Sequence, residues 1–74
     1  MELTNAQKQA VLQGKVALYQ QQYYSHQIDA QVAQDIGGME QALEAARQNM
    51  ARVQKVIDAL EKLLVEVTDD EPAT

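Results

Sequence analysis

Ser25, His26 and Asp29 are the residues whose types come nearest to a catalytic set: a nucleophile, a base and an orienting carboxylate. Their spacing argues against that use. Successive residues on a helix diverge by about 100°, so Ser25 and His26 point to different sides. His26 and Asp29, three apart, are an ordinary pair of surface neighbours. Acyl-transfer chemistry also requires an oxyanion site and a pocket, which a narrow hairpin lacks. An interfacial or solvated histidine is the better reading. No catalytic residue is assigned, and the chain is read as not an enzyme.

Metal chemistry fares no better. Zinc takes four converging nitrogen, sulfur or oxygen ligands, whereas this chain has one histidine and no cysteine. Glu66, Asp69, Asp70 and Glu71 have no calcium-loop spacing and read as a solvating acidic run. No metal-ligating or cofactor-binding residue is assigned, and no cofactor is expected.

Composition bounds what remains. Seventy-four residues make one small domain. The chain is rich in Ala, Gln, Leu and Val, with one proline and neither phenylalanine nor tryptophan, which suits long helices better than a sheet. Without cysteine, no disulfide staples the fold. The net charge of −5 repels nucleic-acid phosphates, and the scattered lysines and arginines form no basic patch. Direct nucleic-acid binding is therefore not expected. No stretch approaches the roughly 20 apolar residues of a membrane span, and residues 1–10 lack the basic start and apolar core of a signal peptide. These features imply a soluble, cytoplasmic protein.

The elements that position the side chains are marked clearly. Met39, Leu43, Ala46, Met50, Val53, Ile57, Leu60, Leu64 and Val67 keep an unbroken four-three rhythm. Only a helix lying against another helix needs such a seam. Gly37-Gly38 is the strong breaker before it, with Gly37 suited to follow a helix C-terminus. Upstream, Thr4 and Gln7 have capping-box spacing. The expected fold is all-α: a coiled-coil-like antiparallel hairpin over residues 1–67, with a helix over 4–36, a turn at 37–38 and a helix over 39–67. The first helix would be about 50 Å long at 1.5 Å per residue. Residues 68–74, acidic and containing Pro72, are expected to be a disordered tail.

The second helix presents its hairpin seam through Leu43, Met50, Val53, Ile57, Leu60 and Leu64. Apolar g positions (Ala42, Val56, Leu63) widen that face toward what a bundle needs. The first helix carries two stripes about 100° apart. One holds Val11, Gly14, Leu18, Gln21, Ser25, Ile28 and Val32; the other holds Leu12, Val16, Tyr19, Tyr23, His26, Ala30 and Ala33. A single partner helix covers one of them. The expected open stripe, and hence the partner-binding surface, is Leu12, Val16, Tyr19 and Tyr23, because tyrosine combines a large contact area with a polar tip. Gln21 and Ser25 interrupt the other stripe, where polar residues can fix register or oligomer number.

Small two-helix units commonly need oligomerisation or another staple. The partner is therefore expected to be a second copy, a dimeric four-helix bundle being the simplest closed solution, or a larger protein complex.

The layout of Gln20 to Tyr24 mid-way along the first helix, Asp29-Ala30 leading to Ile36-Gly37-Gly38, and Met39-Glu40-Gln41-Ala42-Leu43-Glu44 opening a heptad helix resembles small phage-encoded helical-hairpin structural and accessory proteins. The resemblance covers nearly the whole chain and implies a virion, assembly or host-interaction role without catalysis. The leading expectation is a structural or assembly protein that self-associates or docks on a larger complex. The alternative is an acidic inhibitor, of the phage anti-defence type, occupying a basic site on a host nucleic-acid enzyme. Interleaving of Arg47, Arg52, Lys55 and Lys62 with Glu44, Asp58, Glu61 and Glu66 favours the structural reading.

Overall fold

The computed structural model describes residues 2–69 as two helices, α1 (Asn5–Ile36) and α2 (Glu40–Asp69), packed against each other. No strand occurs among the described residues. The result is an all-α helical hairpin, a rod with Cα extents of 59 × 19 × 14 Å.

Helix α1 starts where Thr4 caps it. The Gln7 amide N–H donates to Thr4 Oγ1 at 3.1 Å, and the Thr4 N–H donates to Gln7 Oε1 at 2.9 Å. Two backbone donors that a helix start would leave unpaired are thereby satisfied. At the other end, the Gly37 N–H closes the last turn by donating to the Ala33 carbonyl at 3.1 Å. Gly37 then takes φ 77° and ψ 158°, with Gly38 at φ 71°. For Gly37 this is an extended backbone of positive φ, a region that is essentially glycine's alone. It is not the left-handed helical cap, and it reverses the chain within three residues. The Leu43 N–H reaches back to the Met39 carbonyl at 2.9 Å, so α2 begins at once.

Glutamines support both helices from outside. Gln31 donates to Asp35 at 3.0 Å, Gln54 to Asp58 at 2.9 Å, and Gln48 to Glu44 at 3.3 Å, each across one turn. Such pairs add about 0.2–0.5 kcal/mol each. Helix α2 continues through Thr68 and Asp69, two residues past the expected end. The rest of the expected acidic tail, 70–74, lies outside the described residues.

The turn makes a sharp claim about stability. An added Cβ at Gly37 would meet no heavy atom within 4 Å, so any cost of Gly37→Ala is a backbone cost. Chemical denaturation should show a loss of about 1–3 kcal/mol for Gly37→Ala, against about 1 kcal/mol for Thr4→Ala at the cap.

Candidate interaction surface

Side-chain burial shows which face each helix turns inward. On α2, Ala46, Val53 and Ile57 are buried, and Leu43, Met50, Leu60, Leu64 and Val67 are half-buried. Val56 and Asn49, on the g side, are half-buried as well. On α1, Ala33 is buried, while Leu12, Val16, Tyr19, Tyr23, His26 and Ala30 are half-buried.

This reverses the expectation for α1. Periodicity alone leaves Leu12, Val16, Tyr19 and Tyr23 on the open stripe; the structure turns them toward α2. The stripe that stays open is the other one: Leu18 is 51 % exposed, Ile28 45 % and Val32 48 %. Tyr24 lies outside too, and it is the only one of the three tyrosines that is exposed. The physical reason is the polar content of the two stripes. Turning Gln21 and Ser25 inward would bury two polar groups and would leave the gap of Gly14 unfilled. Tyrosine and histidine bury their apolar bodies while their polar tips reach water at the edge of the seam.

Side chains also grade in size along the seam. Counting outward from the turn, an antiparallel hairpin sets Tyr23 level with Val53, Tyr19 with Ile57, Val16 with Leu60 and Leu12 with Leu64. Near the turn the layers are mostly alanine. There a shallow open groove of about 430 Å³ lies between the helices, lined by His26, Asp29, Val32 and Ala33 of α1 and by Met39, Ala42, Ala45, Ala46 and Asn49 of α2.

The three residues of catalytic type do not converge. His26 and Asp29 share the groove wall, whereas Ser25 is exposed on the outer stripe and is not among the residues of that wall. The nucleophile and the base thus stand on different faces of α1. Among the described residues, no three His, Asp or Glu side chains gather where they could hold a metal ion. No described helix is long and apolar enough to cross a membrane.

What this geometry does offer is an apolar surface along the outside of α1. Polar interruptions at Gln21 and Ser25 were the signal that could have found it, since they mark which stripe avoids the seam.

Charge substitutions rank the two stripes directly. At equal protein concentration, Val16→Glu and Ile57→Asp should each cost several kcal/mol and abolish the helical circular dichroism signal, because they put a charge into the seam. Leu18→Glu, on the open stripe, should cost far less and leave the helices formed. The reverse ranking would return the tyrosine-bearing stripe to the outside.

No protein-family model, curated protein or solved structure matches the chain.

Proposed function

We propose that this chain is a non-enzymatic structural or assembly protein whose hairpin works by associating with other copies of itself. The observation that carries this reading is the open apolar stripe of α1, above all Leu18, Ile28 and Val32. It is coupled to a thin interior. Among the described residues only Ala33, Ala46, Val53 and Ile57 are buried, and two of those are alanines. Among the described residues no side chain has less than 2 % of its surface exposed. A hairpin with so small a core gains stability from any contact that covers the remaining apolar surface.

The layout, similar to that of small phage-encoded hairpin proteins, makes a virion or assembly setting the one we favour. An acidic mimic of nucleic acid is the weaker reading. Asp35, Glu44 and Asp58 each accept from a glutamine on their own helix, and basic residues interrupt the acidic ones along α2.

Sedimentation equilibrium on the purified chain is the direct test. The expected result is a mass of at least two chains at micromolar concentration. The melting temperature should also rise with protein concentration, as mass action requires when folding and association are coupled. A monomer whose melting temperature is unchanged across a hundredfold dilution would overturn the proposal.

A further inference from the structure

We propose that two copies pair through the outer faces of α1, antiparallel, about a two-fold axis level with Tyr23. This rests on the self-association reading and adds to it the face, the direction and the register.

The open stripe is self-complementary when one copy runs against the other. Gly14, Leu18, Gln21, Ser25, Ile28 and Val32 keep four-three spacing and are all exposed. In an antiparallel helix pair, each position of one kind meets a position of the other kind in the same layer. Centred on residue 23, Leu18 meets Ile28 of the second copy, and Gln21 meets its Ser25. Gly14 meets its Val32. Between Gly14 and Val32 apolar side chains therefore face apolar ones or the Gly14 gap, and Val11, at the end of the stripe, falls level with Asp35 of the second copy. The two polar residues face each other, amide against hydroxyl, instead of being buried alone.

The flanks match in the same register. Lys15 and Asp29 lie on one edge of the stripe, both exposed, and the two-fold brings each Lys15 beside Asp29 of the second copy. The symmetry makes two such pairs. On the opposite edge, the exposed Tyr24 falls at the axis against its own counterpart. Sliding the pair by one heptad instead sets Leu18 against Gln21. A parallel pair matches Lys15 with Ala10 and Asp29 with Tyr24, so neither charge meets its opposite.

Two further observations agree. Gly14 stands within α1, where glycine is less favourable than alanine, and nothing in the hairpin uses its gap: an added Cβ would have no heavy atom within 4 Å. Val32 of the second copy would use it. A globular 8.2 kDa chain exposes about 4,500 Å², but this one exposes 5720 Å². That elongated surface has room for the ~800 Å² per partner that a standard interface takes. The assembly that follows is a four-helix dimer in which the two α1 helices touch each other and each α2 packs on its own α1.

The chain contains no cysteine, so introduced thiols report on register without interference. Leu18→Cys and Ile28→Cys chains, mixed and mildly oxidised, should form a disulfide-linked dimer, while neither variant alone should do so. Parallel pairing would link each variant to itself and would overturn the proposal. Lys15→Asp and Asp29→Lys should each weaken association about tenfold, and carrying both should restore it to within about threefold of wild type. If wild type stays monomeric, the self-association reading itself falls. If wild type associates but the mixed thiols stay unlinked and the charge variants act independently, only this face and register fall.

Discussion

Burial of Val53 and Ile57, the larger of the buried side chains among the described residues, is the constraint on which the rest of the hairpin depends. A pair of helices shares a single seam, so nearly all the burial available to one chain has to come from that strip. Here the larger buried side chains lie toward its middle, and alanines line it near the turn. The turn and the Thr4 cap decide where the helices begin and end. The aliphatic and tyrosine layers decide that they stay together.

The same constraint explains the division of α1 into two surfaces. Helix α2 gathers most of its apolar residues on the side facing α1, with Leu63 and Val65 left exposed among its charged and amide side chains. Helix α1 spreads its apolar residues around more of its circumference. Once the tyrosine-bearing stripe is committed to the seam, Leu18, Ile28 and Val32 stay about half exposed. Nor does the chemistry suggested by Ser25, His26 and Asp29 survive this division, because the seam and the outer stripe draw the serine and the histidine to different sides.

Much of this was legible in the sequence, for physical reasons that differ from element to element. The α2 seam could be read because an unbroken four-three rhythm admits one helical face and no other. The cap and the reversal could be read because Thr4 with Gln7, and Gly37 with Gly38, combine side chains and backbone freedoms that few other arrangements use. Which stripe of α1 faces inward was harder, since both have the same period and similar apolar content. Size and aromatic character pointed Tyr19 and Tyr23 outward, toward a partner. The cost of burying Gln21 and Ser25 outweighed that preference, and a comparison of polar desolvation between the two stripes would have decided correctly. The last two residues of α2 were missed because Thr68 and Asp69 end the apolar rhythm, whereas backbone hydrogen bonding needs no apolar side chain to continue.

A consequence of the tight reversal at Gly37-Gly38 concerns force. Both arms of the hairpin run back to the same end, so a pull applied through Leu3 and Val67 loads the seam across its width and not along its length. The layers would then separate in succession, beginning with Leu12 and Leu64 and reaching the alanines last, and no more than a layer or so would bear the load at any moment. Such a rod opens like a zipper under modest tension. A pull through the turn and both ends together runs along the helices themselves. The molecule is therefore mechanically anisotropic: compliant across its open end and stiff along its axis.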